Sequence, residues 1–335
     1  MIDALILGAS GYVGGELLRL LAAHPHIRPT LLIGDSDAGK PVAAVHPALA
    51  LAYPGSEIRK YDPAMLGDAG LVFAALPHGK SQELASSILD SGVPFVDLGA
   101  DFRLDSAEEY ARWYGEPHQA PELLDTFVYG IPEFHRDRIK GTKAVSAAGC
   151  YATAAILALK PLADAGLITP GTITVDGLSG VSGAGKAPSA KTHFDSVHGS
   201  IGAYGLLNHR HTGEMEMMLA QQVLFTPHLV PMDRGLLVTA YGAAAKDGDP
   251  LAVLAEAYAG EAFLFVSDNP PATKTVAGTN AAYLTARRCD RTGKILAQCA
   301  IDNLGKGAAG QMIQCANIML GIEETVGLPV AGIWP

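Results

Sequence analysis

The chain has 335 residues, of which 49% are hydrophobic and only 17% are charged, and this composition excludes an intrinsically disordered protein. Its 24 basic and 34 acidic residues give a net charge of −10, which argues against a nucleic-acid partner. The start of the chain lacks a basic signal-peptide segment, and its charge-free stretches are too short to span a membrane. The four cysteines form no C-x-x-C pair. We therefore expect a cytoplasmic protein of two domains with free thiols.

The first half of the chain alternates strand-like and helix-like segments. Short apolar runs predict strands at 4–7, 30–33, 71–76, 95–98 and 144–147. Helical periodicity and a capping-box pattern predict helices at 13–23, at 81–90 and after Ser106. This order is typical of an α/β fold in which helices cover both faces of a parallel sheet.

The second half has a different pattern. Strand-like segments occupy 173–178, 236–241, 281–288 and 295–301, and a turn at 290–293 joins the last two. These segments predict an α+β domain with a mostly antiparallel sheet. A helix is expected at 307–321, and the boundary between the domains is expected near 145–150.

Glycine is over-represented, with 38 residues, or about 11% against a usual share of ~7%. Three of these glycines form the motif Gly8-Ala-Ser-Gly11-Tyr-Val-Gly14 between the first strand and the first helix. In that position glycines let the backbone approach a pyrophosphate, which binds the N–H groups of the helix start. The motif predicts a dinucleotide site, and a simple tight turn is the alternative.

The end of the second strand bears on the choice of dinucleotide. An acid there bonds the ribose 2′-hydroxyl of NAD, whereas an arginine suits the 2′-phosphate of NADP. The segment reads Ile33-Gly-Asp35-Ser36-Asp37, and Lys40 follows. Asp35 therefore favours NAD, unless the segment is only a solvated polar loop.

Cys150 follows the expected strand at 144–147 and precedes a helical run. The free N–H groups and positive dipole end of a helix stabilise a thiolate, which is the nucleophile that acyl chemistry needs. The alternative is an ordinary core cysteine, which is how Cys289, Cys299 and Cys315 are interpreted.

His209 and His211 stand two residues apart before a predicted helix, and either could act as a general acid or base near neutral pH. A metal pair or a polar surface turn is the alternative, but no third ligand has a recognisable spacing, so no metal is expected.

Two further glycine-rich turns, 179–186 and 302–307, are expected to approach a ligand. The first is not a phosphate-binding Walker loop, because Ala187 stands where Ser or Thr is required.

Taken together, these motifs resemble the N-acetyl-γ-glutamyl-phosphate reductase family, within the wider aspartate-semialdehyde dehydrogenase group. The resemblance runs almost from end to end. It rests on GASGYVGGELLRLL (8–21), LPHG (76–79), DLGADFRL (97–104), YGIPE (129–133), GCYAT (149–153), SGVSGAG (179–185), HRHTGE (209–214), TPHLVPMDRG (226–235) and DNLGKGAAGQ (302–311).

The resemblance implies a Rossmann-type dinucleotide-binding domain, 1–148 plus 307–335, and a substrate and oligomerisation domain, 149–306, with the active site between them. It also implies NADP(H), a place in arginine biosynthesis and a homo-oligomer, either a dimer or a tetramer. However, the family's usual Ser-Arg-Ser after the second strand is Gly34-Asp35-Ser36 in this chain, which keeps NAD(H) possible.

The resemblance also implies roles for single residues. Cys150 would attack the acyl phosphate, and His211, or else His209, would be the acid and base. The expected cofactor contacts are Gly8, Ser10, Gly11, Tyr12, Val13, Gly14, Asp35, Ser36, Ser182, Gly183 and Asn303. The expected substrate contacts are Arg103, Lys186, Glu214 and Arg234.

The expected reaction is the NAD(P)H-dependent reduction of N-acetyl-γ-glutamyl phosphate to N-acetylglutamate 5-semialdehyde through a thioester on Cys150. Three alternatives stay open. They are a reductase of aspartyl or aminoadipyl phosphate, a hydrolase that uses cysteine and histidine, and a cofactor-binding regulator without catalysis.

Overall fold

A computed structural model of the protein describes residues 1–333. The chain divides into two compact units, the first formed by Met1–Ala148 with Ala308–Leu328 and the second by Gly149–Gly307 with the described residues 329–333. Trp334 and Pro335, which the sequence assigned to the dinucleotide domain, lie outside the described residues.

The first unit is built on a six-stranded parallel sheet with the strand order β2-β1-β3-β4-β6-β5. Its strands are β1 Ile2–Leu7, β2 Ile27–Ile33, β3 Leu71–Ala74, β4 Phe95–Asp97, β5 Val128–Gly130 and β6 Ala144–Ala147. Its helices before residue 148 are α1 Tyr12–Leu21, α2 Val42–Val45, α3 Lys80–Asp90, α4 Ala107–Tyr114 and α5 Pro132–Ile139. The parallel sheet predicted from the alternating segments is confirmed, with β5 added at its edge.

The second unit contains a seven-stranded mixed sheet in the order β11-β12-β13-β10-β7-β9-β8. Its strands are β7 Ile173–Gly180, β8 Gly202–Ala203, β9 Val223–Val230, β10 Leu236–Ala243, β11 Leu264–Val266, β12 Ala282–Cys289 and β13 Lys294–Ile301. Its helices are α6 Cys150–Asp164, α7 Phe194–Val197, α8 His211–Leu219 and α9 Pro250–Ala257. Two pairings, β7 with β9 and β11 with β12, are parallel and the rest are antiparallel, as expected for a mostly antiparallel sheet.

Helix α6 forms the core of the second unit. Its residues 151–159 are all buried, because their side chains are apolar or small on every side of the helix. The helix packs against β10 and β13 on the sheet and against α8 and α9. This packing holds the first residue of α6, Cys150, at a well-defined place.

The last helix, α10 Gly310–Met319, belongs to the first unit and is buried along its whole length. The sequence predicted a helix from residue 307, but residues 305–309 form a wider helical turn. Asn317 connects α10 to the segment between α1 and β2, because its Oδ1 lies 3.1 Å from Nε2 of the buried His24.

The segment after residue 328 was expected to stay with the dinucleotide domain, but its backbone bonds lie in the second unit. The N–H of Asn280 donates to the carbonyl of Pro329, and the N–H of Ile333 donates to the carbonyl of Ala277. No helix described for residues 1–333 is long and apolar enough to cross a lipid bilayer.

A buried carboxyl group in the first unit predicts a pH dependence of stability. Asp97 ends β4 with no exposed surface, and its Oδ2 finds no hydrogen-bond partner among residues 1–333. Burial raises the pKa of Asp97 to about 7, although the hydroxyl of Ser81 donates to its Oδ1 at 2.7 Å.

The protonated form of Asp97 therefore stabilises the folded state below pH ~4, and this stability is lost as the pH rises through about 7. Replacing Asp97 by asparagine is expected to remove most of that decline, which is on the order of 4 kcal/mol. Urea denaturation between pH 4 and 8 measures it, with the exposed Asp105→Asn as the control. A decline of equal size in both variants would contradict the assignment.

Candidate functional site

The glycine motif of the first unit has the backbone that a dinucleotide needs. Gly8 has a φ of +83°, and a Cβ there would lie 2.3 Å from the carbonyl oxygen of Ala75. A Cβ on Gly14 would lie 2.3 Å from the carbonyl oxygen of Gly8. Any side chain at either position would displace backbone, so only glycine lets β1, the turn and α1 approach so closely.

The start of α1 offers its backbone N–H groups to a ligand. Gly11 is the N-cap residue of the helix and has no side chain that could accept a hydrogen bond from the first turn. Tyr12 is 44% exposed and Val13 is half-buried, while Ser10 lies beside Gly34 at the end of β2. Uncapped N–H groups and the positive dipole end suit a pyrophosphate. The residues present therefore fit a dinucleotide.

Asp35 and Ser36 are exposed in the turn that follows β2. The nearby Lys40 does not compensate Asp35, because its Nζ lies 2.8 Å from Oδ1 of Asp37. The carboxylate of Asp35 is thus available to a ribose hydroxyl, as the sequence predicted for NAD.

In the second unit, the structure places Cys150 as the first residue of α6. The N-cap residue Gly149 has no side chain to accept a hydrogen bond from the first turn, and Cys150 therefore lies at the N–H end of the helix. Backbone closes in from the other side, because a Cβ on Gly307 would lie 2.8 Å from Cβ of Cys150. Cys150 forms no disulfide and is partly exposed, as a reacting thiol must be.

His209 and His211 lie together, with their ring centroids 4.8 Å apart. Nδ1 of His209 accepts a hydrogen bond from the backbone N–H of His211 at 3.2 Å, so its proton is on Nε2. Three aromatic rings, those of Tyr151, Tyr204 and Phe225, enclose the imidazole of His209, with centroids 5.3–5.6 Å from its own. The rings of Tyr151 and Phe225 also contact each other, with centroids 5.2 Å apart. Burial, and then the charges of His211 and Arg210, lower the pKa of His209 to about 3.

Glu214 connects the histidines to the cysteine. Its carboxylate is fully buried, and its Oε2 accepts a 2.8 Å hydrogen bond from the N–H of Gly149, which precedes Cys150. Its Oε1 lies 3.9 Å from Nε2 of His211. The sequence predicted Glu214 as a substrate contact, which stays a prediction; its bonds within the protein also fit a residue that positions Cys150 and His211.

Asn303, Ser182 and Arg234 form a second polar group in the same unit. The amide of Asn303 donates to Oγ of Ser182 at 2.9 Å and accepts from the N–H of Gly235 at 2.7 Å. Gly183 packs against Ser179, because a Cβ on Gly183 would lie 2.8 Å from Oγ of Ser179. Nε of Arg234 lies 2.7 Å from Oδ2 of the buried Asp302, so this pair ties the turn before β10 to the end of β13.

The two other residues predicted to bind substrate have different settings. Arg103 is buried in the first unit, where its Nη2 donates to the carbonyl of Leu98 at 2.7 Å. Lys186 is exposed in the loop after β7.

Among residues 1–333, no three His, Cys, Asp or Glu side chains lie close enough together to hold a metal ion.

The sequence did not identify Tyr151 or Tyr204 as parts of the site, and it placed Gly307 in a ligand-approaching turn without linking it to Cys150. Tyr151 follows the cysteine directly, and its hydroxyl donates to the carbonyl of His228 at 2.8 Å. An aromatic residue next to a nucleophile was the available signal for Tyr151. Tyr204 and Gly307 are far from Cys150 in sequence, so only the fold could place them.

Two family models match the chain. The model for the semialdehyde dehydrogenase NAD binding domain matches residues 3–142, and the model for the semialdehyde dehydrogenase dimerisation domain matches residues 150–303. The first match contains the glycine motif, and the second contains Cys150 and both histidines.

Curated relatives match over the full length of both chains. The N-acetyl-gamma-glutamyl-phosphate reductase of Desulforudis audaxviator (strain MP104C) is 44% identical, that of Methanopyrus kandleri (strain AV19) is 42% identical and that of Azotobacter vinelandii (strain DJ) is 40% identical, each covering 100% of both chains.

Solved structures show the same fold at low sequence identity. Aspartate semialdehyde dehydrogenase II from Vibrio cholerae, complexed with ASA, has a TM-score of 0.72 at 17% identity and covers 96% of this chain and 98% of its own. Aspartate semialdehyde dehydrogenase with NADP from Candida albicans has a TM-score of 0.72 at 16% identity, with the same coverage of 96% and 98%.

Proposed function

This chain belongs to the N-acetyl-gamma-glutamyl-phosphate reductase family, and we propose that it reduces N-acetyl-γ-glutamyl phosphate to N-acetylglutamate 5-semialdehyde in arginine biosynthesis. The observation that carries this proposal is the setting of Cys150 at the uncapped start of α6, with Glu214 bonded to the preceding residue and next to His211. A regulator without catalysis has no use for this arrangement, and a hydrolase has no use for the glycine motif.

In the first half of the reaction, the thiolate of Cys150 attacks the acyl carbon of the substrate. The carbon–sulfur bond forms, the bond to the phosphate oxygen breaks, and inorganic phosphate leaves with the electron pair. The N–H groups of the first turn of α6 stabilise the thiolate and the negative charge that develops beside it. The product of this half is a thioester on Cys150.

In the second half, bound NAD(P)H supplies the hydride that reduces the thioester carbon. The carbonyl oxygen becomes an oxyanion and takes a proton from His211, which gives a hemithioacetal. His211 then takes this proton back as the carbon–sulfur bond breaks. The aldehyde is released and Cys150 returns to the thiolate.

His211 suits this role better than His209. With a pKa near 3, His209 stays neutral at physiological pH and has no proton to give from Nδ1, which already accepts the N–H of His211. His211 lies beside the carboxylate of Glu214, with its Nε2 3.9 Å from Oε1, so its ring has a charged neighbour that can orient it. His209 instead holds the backbone of His211 in place through the hydrogen bond to its N–H.

We assign the dinucleotide to the first unit, held by the glycine motif and the start of α1. The family resemblance favours NADP(H), whereas Asp35 is the kind of residue that bonds the ribose of NAD(H). The match to a dimerisation domain at 150–303 supports a homo-oligomer, and the free thiols support a reducing cytoplasm.

The proposed reaction is tested in reverse. With the purified protein, N-acetylglutamate semialdehyde, inorganic phosphate and either NADP⁺ or NAD⁺ are expected to produce NADPH or NADH absorbance, and thiol alkylation is expected to abolish it. Aspartate semialdehyde is the control substrate and is expected to react at least tenfold more slowly. Faster turnover of aspartate semialdehyde, or acid release without reduced cofactor, would contradict the proposal.

A further inference from the structure

A short extended segment lies alongside β2 at the outer edge of the first unit. Arg59 pairs in parallel with Ile33, the last residue of β2. The N–H of Arg59 donates to the carbonyl of Leu32 at 2.7 Å, and its own carbonyl accepts from Gly34 at 3.1 Å. These bonds hold Arg59 directly beside the turn that contains Asp35 and Ser36.

The pairing also indicates which face of the sheet Arg59 occupies. Residues in register on neighbouring strands present their side chains to the same face. Ile33 packs in the core cluster that contains Ala85 and Ile88 of α3, so Arg59 lies on the α3 face. Its position is exposed and at the carboxyl edge of the strands, where dinucleotides bind in such sheets.

The charges around Asp35 favour an anionic ligand more than the acid alone suggests. Lys80 begins α3 and is exposed, and its pKa is raised mainly by the hydrogen bond and charge of Glu83 and more weakly by Asp35. Lys80 therefore acts on Asp35 as well as on Glu83, whose Oε1 lies 2.7 Å from its Nζ. This positive charge offsets part of the repulsion that Asp35 would exert on a phosphate.

Arg59 is a cation at this edge whose charge is not paired within the protein. Lys40 is paired with Asp37, and Lys80 with Glu83. Within residues 1–333 the guanidinium of Arg59 enters no ion pair and no side-chain hydrogen bond. A guanidinium binds phosphate oxygens in a bidentate manner and stacks on aromatic bases, which an ammonium does less well.

We propose that Arg59 recognises the 2′-phosphate of NADP(H) in this chain, with the hydroxyl of Ser36 as its partner. Arg59 thereby supplies from a neighbouring strand the cation that is missing at Asp35. The inference rests on the proposed function, because it requires the first unit to bind a dinucleotide. It makes this chain selective for NADP(H) in spite of the acid at position 35.

Equilibrium binding without substrate tests the inference. Isothermal titration calorimetry is carried out with NADP⁺ and with NAD⁺ on the full chain, on Arg59→Gln and on Lys60→Gln. The wild type is expected to bind NADP⁺ more tightly than NAD⁺. Arg59→Gln is expected to raise the Kd of NADP⁺ at least tenfold and to change that of NAD⁺ less than twofold. Lys60 is exposed and adjacent, and it points to the other side of the segment, so its variant is expected to match the wild type.

Each contrary result has its own meaning. An unchanged NADP⁺ affinity in Arg59→Gln, or equal losses for both dinucleotides, would overturn the inference while leaving the proposed function standing. Tighter binding of NAD⁺ than of NADP⁺ by the wild type would overturn it as well. Binding of neither dinucleotide by a folded wild type would overturn the proposed function itself.

Discussion

Cys150→Ser is expected to lower the kcat of the reductase by about a thousandfold or more. A serine hydroxyl at the start of α6 stays protonated, because the helix end stabilises a thiolate far more readily than it ionises an alcohol. The thioester then cannot form, and an ester would be the much slower alternative. Steady-state kinetics with the acyl phosphate or with the semialdehyde and phosphate measures the loss.

Cys289→Ser is the matched control, since Cys289 is also partly exposed but lies at the end of β12. It is expected to retain full activity. The dinucleotide affinity of Cys150→Ser, measured by calorimetry, is expected to equal that of the wild type, because the glycine motif belongs to the other unit. Wild-type turnover by Cys150→Ser would rule out covalent catalysis at this residue.

His211→Asn is expected to lower kcat by about 10²- to 10⁴-fold, the usual effect of removing a general acid and base. The variant is also expected to lose the limb of the pH–rate profile that reports an imidazole. His209→Asn is the comparison. Because His209 stays neutral and only supports the loop, its replacement is expected to lower kcat less and to leave that limb in place.

Glu214→Gln separates positioning from catalysis. The glutamine keeps an oxygen for the N–H of Gly149 but loses the charge beside His211. It is expected to lower kcat, because His211 loses the charged neighbour that orients it, and to leave KM nearly unchanged. If KM rose and kcat did not fall, Glu214 would be a substrate contact, as the sequence predicted.

If His209→Asn removed the imidazole limb and His211→Asn did not, His209 would be the acid and base and His211 the supporting residue.

Several elements followed from local sequence patterns. The run at 71–74 is apolar on both faces because β3 is buried on both faces, and the periodicity of α1 matches its buried leucines. The glycines at 8 and 14 were identified because their backbone requirement comes from the strand and helix next to them. Strand β9 was not predicted, because Pro227 lies within it and prolines are rare inside sheets.

What the sequence determined by itself was therefore the set of local elements and the chemically capable residues, because propensity, capping and backbone requirements act over a few neighbouring positions. Only the tertiary structure decided which of these residues work together. It joined Glu214 to the residue before Cys150 and enclosed the half-buried His209 among aromatic rings, where burial lowers its pKa. It also brought Arg59 beside Asp35, 24 positions away along the chain. Such partners come from strand pairing and helix packing between distant segments, and a single sequence carries no local signal for them.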